Sequence, residues 1–277
     1  MKIHLSCVVA LSLLASDSIP IWAQPAIVPP EVVVPQPQPN DADFERADDS
    51  ADALAFIGAF YHKLSRAESY RGHLVTVTTT SSKGKVLATK TVEMDSSWIA
   101  DKEIQGAFRK AVSSFVVTNV RDGQTTNHKF RTVDNGIKSY RFNGAKNIWS
   151  ERVQEEGETT LMFDAVHGPW MIALAMFGAG RKFEIEDLTV DGQDQVLVRS
   201  KPEDEYVFDA KTGDLKSYTR TVALEREEDY ITRMEGRWLQ HEFNVPLADA
   251  LFDWKTPDGT EKVAPEKISI EAYLVGP

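Results

Sequence analysis

Seven clusters of turn-forming residues cut the chain beyond residue 80 into pieces of strand length: Lys83-Gly84, Asp122-Gly123, Asp134-Asn135-Gly136, Asn143-Gly144, Asp191-Gly192, Lys211-Thr212-Gly213 and Asp258-Gly259. Gly, Asn and Asp tolerate the backbone conformations that tight turns need, and between the clusters apolar residues recur every second position. The spacing predicts antiparallel strands near residues 70–81, 86–95, 112–120, 125–134, 137–142, 147–152, 181–190, 194–200, 204–209, 214–224 and 228–241. In the last of these, Tyr230, Met234 and Trp238 fall on one face while Arg233, Glu235, Arg237 and His241 fall on the other. Tyr140 with Phe142, and Tyr206 with Phe208, repeat the pattern. A single antiparallel sheet with one apolar face must either curl on itself or receive helices.

Two segments read as those helices. Between Asp41 and Ser69, acidic Asp48, Asp49 and Asp52 suit a helix amino end, and Leu54, Ile57, Tyr61 and Leu64 recur at helical spacing. The second runs from His167 to Phe177 through Pro169, Trp170, Met171, Ile172, Ala173, Leu174, Ala175 and Met176, with Gly178 and Gly180 as its stop. A segment so apolar on every side is buried or binds something greasy.

The amino end sets the compartment expected for all this. Lys2 and His4 precede an apolar run from Cys7 to Ala15, and Ile21-Trp22-Ala23 ends in small-residue cleavage chemistry, so residues 1–23 read as a signal peptide. Residues 24–45, with Pro25, Pro29, Pro30, Pro35, Pro37 and Pro39, read as an extended linker, and 46–277 as one domain. The expected location is periplasmic or secreted. Cys7 is the only cysteine, so the processed chain has no disulfide and must be held by its core. A net charge of −11 argues against nucleic acid, which recruits clustered Lys and Arg. His62, His73, His128, His167 and His241 make no close metal-ligand spacing, and neither a phosphate-binding Gly-rich loop nor a GxSxG elbow occurs. No cofactor, metal or catalytic residue is nominated. Positive evidence lies instead in large soft side chains, Trp149, Trp170, Trp238 and Trp254 with Met171, Met176 and Met234, which would line a cavity if they converged.

Several segments, read in order, resemble the lipoprotein-carrier family typified by LolA, with its LppX-like and RseB-like relatives. Leu64 to Gly72 followed by Leu74-Val75-Thr76-Val77-Thr78 is similar to the family's end of helix one and first strand. Asp134 to Asn143 is similar to its DGK-aromatic hairpin, and Pro169 to Leu174 occupies the place of its plug helix. Asp209 to Leu215 matches a turn of these domains. Asn244-Val245-Pro246 and Ala250 to Gly259 resemble the closing phrase Phe-x-aromatic-x-x-Pro-x-Gly. A departure is Phe108-Arg109-Lys110, where the family has an Arg-Pro step.

The resemblance implies an α+β fold, a strongly curved antiparallel half-barrel of about 11 strands whose concave apolar face is covered by helices. It further implies an extracytoplasmic binding or carrier protein for a lipid, a lipoprotein acyl chain or another hydrophobic ligand. On this reading the cavity is lined by Val75, Val77, Phe130, Tyr140, Phe142, Trp149, Trp170, Met171, Leu174, Phe177, Tyr230, Met234 and Trp238, with Arg109 as a polar rim residue. The alternative is a sensor domain of the same fold that contacts an envelope membrane-protein partner. An exported hydrolase is a third possibility, and it requires a buried His beside a carboxylate.

Overall fold

The computed structural model describes residues 47–103, 107–154, 160–161, 183–200, 204–223 and 230–270. A helix, α1 (Ala47–Arg66), is followed by β1 (Ser69–Ser82), β2 (Lys85–Ala100), β3 (Ala107–Arg121), β4 (Gln124–Asp134), β5 (Lys138–Asn143) and β6 (Ile148–Val153). Then come β7 (Thr160–Leu161), β8 (Phe183–Val190), β9 (Gln193–Ser200), β10 (Asp204–Asp209), β11 (Leu215–Ala223), β12 (Tyr230–Phe243) and β13 (Glu261–Lys262). All belong to one thirteen-stranded sheet in the order β13-β6-β5-β4-β3-β2-β1-β12-β11-β10-β9-β8, with β7 beside β3. The expectation of about 11 strands misses β7 and β13, each two residues long. The sheet is also mixed, because β13 runs parallel to β6. Among the described residues its edge strands β13 and β8 do not pair with each other, so the sheet is open.

The turn chemistry explains the hairpins. Lys83-Gly84, Asp122-Gly123 and Asp191-Gly192 each put both central residues at positive φ, the geometry whose twist matches a two-residue hairpin. Asp209 caps the β10–β11 turn by accepting the Thr212 and Lys211 amides at 2.8 and 3.1 Å, and Asn135 does the same for Lys138 and Ile137 at 2.9 and 3.1 Å. The two halves of the chain form separate meanders that meet where β1 pairs with β12. Asn244 fastens that junction, its side chain accepting the Glu68 amide at 2.8 Å while its own amide donates to Ser69 O.

α1 lies on one face of the sheet, the front. Its buried residues are Ala53, Ile57, Phe60 and Leu64. Leu54, expected on this face, is 44% exposed, because the buried stripe is set one residue earlier. Phe56 and Phe60 each meet the Phe208 ring at about 6 Å, and Lys63 pairs with Asp214 in the β10–β11 turn. The front layer continues through Tyr206, Trp238, Leu74, Met94, Phe115 and Phe130, so one apolar cluster crosses the sheet from β8 to β4. Burying each such large side chain contributes roughly 1.5–3 kcal/mol. No helix among the described residues is long and apolar enough to cross a membrane. The second expected helix, 167–177, lies outside the described residues.

The back face carries a second, smaller core. Beyond β12 the chain crosses behind the sheet and makes a 3-10 turn at Asp249–Phe252. Phe252 buries itself against Val112 and Val133, flanked by Ile99, Tyr140, Leu247, Leu251 and Trp254. Trp254 stacks on Tyr140 with centroids 5.1 Å apart and planes 4° from parallel, and tilts against Trp149 at 5.7 Å. The strap then adds β13 to β6 and carries Ile270 round the edge into the front cluster.

Candidate functional site

On the front face, cross-strand pairing sets Gly72 of β1 between Ser96 of β2 and His241 of β12. The next row places Leu74 between Met94 and Trp238, and the preceding row places Tyr70 between Trp98 and Phe243. Glycine at 72 has a specific physical reason. A Cβ there would stand 1.9 Å from the Tyr70 hydroxyl, so the tyrosine ring lies folded over the glycine, along the sheet. Tyr70 stacks on Trp98 at 5.4 Å and meets His241 edge-on at 5.4 Å, while Trp238 stacks on His241, also at 5.4 Å. Tyr218 repeats the device over Gly236, its ring atoms 2.0 Å from where a Cβ would be.

This aromatic nest is buried: Trp98 is 0% exposed, Tyr70 1%, Ser96 3% and Trp238 6%. Yet Ser96 Oγ, Trp98 Nε1, Trp238 Nε1 and His241 Nε2 have no hydrogen-bond partner among the described residues. Trp238 and Ser96 sit beside the Tyr70 hydroxyl and favour its ionised form, without completing a hydrogen bond of ordinary geometry to it. Burial dominates and pushes the Tyr70 hydroxyl far above its ordinary value, so it stays a neutral donor.

His241 corrects the simple alternation of β12. The period of two assigns it to the wet face with Arg237, but the register shifts between His73 and Leu74: Leu74 faces Trp238, while His73 faces Gln240. The extra residue of this β-bulge returns His241 to the front face. Its Nδ1 lies 3.1 Å from Leu215 O. A carbonyl only accepts, so Nδ1 carries the proton and Nε2 presents a lone pair. Burial lowers the His241 pKa to about 4 against the opposing pull of Asp214, so the ring is neutral at ordinary pH.

Among the described residues, the two features that a His-based hydrolase combines occur in different places. His241 is buried, but its Nδ1 is held by a backbone carbonyl, and Asp214 pairs with Lys63. His73 does meet a carboxylate, with Nδ1 2.7 Å from Asp95 Oδ1, but Asp95 is 73% exposed on the back face. Among the described residues no group of three or more His, Cys, Asp and Glu side chains is placed to hold a metal.

No family model matches the chain, and a search of curated proteins finds no similar one. Similar solved structures do exist. A conserved protein from Thermus thermophilus is 9% identical, with a TM-score of 0.37 over 77% of this chain and 99% of its own. A LolA superfamily protein from Nitrosomonas europaea is 9% identical, with a TM-score of 0.27 over 73% and 97%. A DUF1329 family protein from Desulfovibrio piger is 12% identical, with a TM-score of 0.25 over 74% and 97%.

The residues expected to line one cavity divide between the two faces. Phe130, Met234 and Trp238 belong to the front cluster, and Tyr230 shares their face of its strand. Val75 and Val77 point to the back, alternating with Leu74 and Thr76. Tyr140 packs on the back core, and Trp149, paired with Phe142, contacts the strap through Trp254. Trp170, Met171, Leu174 and Phe177 lie outside the described residues. Arg109 is exposed at a bulge in β3, where Ile99 faces Lys110 and Ala100 faces Phe108. Sequence reasoning passed over Tyr70, Gly72, Ser96 and Trp98. A glycine within a run of strand residues was the available signal, since it marks close approach of another group. At the opposite end of the front face, Lys90 is buried, and desolvation lowers its pKa to about 8.

Proposed function

We propose that this protein is an extracytoplasmic binding or carrier protein for a hydrophobic ligand, a lipid or acyl chain, held against the front face of a curved half-barrel formed within residues 46–277. The single observation that carries the reading is the cluster of unpartnered polar atoms inside the aromatic front layer: Ser96 Oγ, Trp98 Nε1, Trp238 Nε1 and His241 Nε2. A core that serves only to fill space partners its buried polar groups, because each one left unmet costs about 1–3 kcal/mol. The collinear motifs of the lipoprotein carriers support the same reading independently. Each methylene brought onto such a face contributes about 0.8 kcal/mol, so a chain binds without any catalytic group.

Native mass spectrometry of the full chain purified from its own host, followed by organic extraction, tests the reading. The expected result is a bound species of defined mass that extracts as a lipid. A clean unliganded mass, together with indifference to an added fluorescent fatty acid, would contradict it.

A further inference from the structure

The geometry points to a head-group site on the front face at the row Ser96–Gly72–His241, which takes an uncharged head able both to donate and to accept a hydrogen bond: the hydroxyl of a long-chain alcohol or the protonated carboxyl of a fatty acid. The inference rests on the hydrophobic-ligand reading above and supplies the chemistry of the ligand's polar end.

The groups facing the site define what it accepts. His241 Nε2 offers a lone pair, because Nδ1–H is committed to Leu215 O. Trp238 Nε1–H and Trp98 Nε1–H are donors only, both without a partner among the described residues. Ser96 Oγ, also unpartnered, and the Tyr70 hydroxyl beside it can donate or accept. The side chains that carry them pack as one nest: Tyr70 meets Trp98 face-on and His241 edge-on, and Trp238 stacks on His241. A head that only accepts leaves His241 Nε2 unmet. A purely apolar end leaves all of them unmet.

Charge is selected against by the same surroundings. Asp214, Lys63 and Lys216 all act on His241, but Lys63 pairs with Asp214 and Lys216 with Asp209, and His241 is held neutral by burial. An anionic head would therefore enter a nest where, among the described residues, the cations acting on His241 are already paired, and desolvation would drive it to its protonated form. Gly72 makes the site possible. With no Cβ on that residue, Tyr70 folds back along β1 and sets its own hydroxyl over Gly72, in the row between Ser96 and His241.

Titration of the full chain with hexadecanol, hexadecanoic acid, methyl hexadecanoate and hexadecane, read by displacement of a fluorescent fatty acid, separates this site from the broader reading. The alcohol and the acid are expected to bind about tenfold more tightly than the ester, which accepts but cannot donate. His241→Phe closes that gap, and Ser96→Ala narrows it. Nitrogen NMR of the unmodified protein gives a readout independent of any variant's folding: the His241 Nε2 resonance moves when the alcohol is added and stays put with the ester. Equal binding of all four ligands, with an unmoved His241 resonance, would overturn the head-group site while leaving a hydrophobic ligand in place. Binding of none would overturn both. Tight binding of the alcohol with an unmoved His241 resonance would place the head elsewhere and also overturn the site.

Discussion

Each face of the sheet carries a buried core with aromatic residues, yet the two cores handle polar groups differently. On the back, aromatic contacts are reinforced by charge. Lys262 sits 5.0 Å from the Trp149 ring centre and 3.0 Å from Glu151, which also pairs with Lys138. Lys138 and then Lys262 hold the Glu151 carboxyl below its usual range. Lys110 likewise binds Asp249 at 2.8 Å and lies over Phe252. The unpartnered atoms near this side, Arg131 Nε and Trp254 Nε1, are both donors. On the front, a lone pair, two indole donors and a hydroxyl share one buried nest. The back is a clasp knit by charge that leaves two donors unpartnered, whereas the front leaves an acceptor and donors unpartnered in one nest.

That contrast can be broken most forcefully at the clasp. Phe252→Ala should destabilise the protein by about 3–5 kcal/mol in denaturant titration, since it empties the middle of the back core, while leaving lipid affinity of the folded fraction unchanged. Next in size is acid. The unfolded chain protonates His241 near pH 6.5, but the folded chain does so only near pH 4. Between these values the unfolded state binds more protons, so stability falls as pH drops through the window, by roughly 3 kcal/mol in all. His241→Phe should flatten this part of the stability profile. Gly72→Ala sharpens the comparison from the other side: its Cβ forces the Tyr70 ring out of place, costing about 1–3 kcal/mol and, unlike the clasp variant, abolishing lipid binding. The smallest effect belongs to Glu151→Gln, a slight loss of thermal stability that molar salt erases, because both Lys partners remain in contact with solvent.

Much of the scaffold was legible in the sequence. The eleven predicted strands correspond to β1–β6 and β8–β12, because Lys83-Gly84, Asp122-Gly123 and Asp191-Gly192 name their hairpins unambiguously. The faces were not legible. Val112 and Val133 on the back are as apolar as Phe115 and Phe130 on the front, and only the strap, which arrives more than a hundred residues later, reveals that the back has a core of its own. Val75, Tyr140 and Trp149 were therefore gathered with Trp238 into one expected lining. A bulge caused a further error: one extra residue in β12 turned His241 inward. Periodicity counts residues and cannot register a skipped pairing.

Indole N–H resonances of the nitrogen-labelled full chain, recorded with a long-chain alcohol carrying a spin label at its far end and again with the label near the hydroxyl, test the contrast between the faces most directly. If the front face holds the ligand, Trp98 and Trp238 broaden, most strongly with the label near the hydroxyl, while Trp149 and Trp254 stay sharp. Broadening confined to Trp149 and Trp254 would assign the ligand to the back and contradict the account.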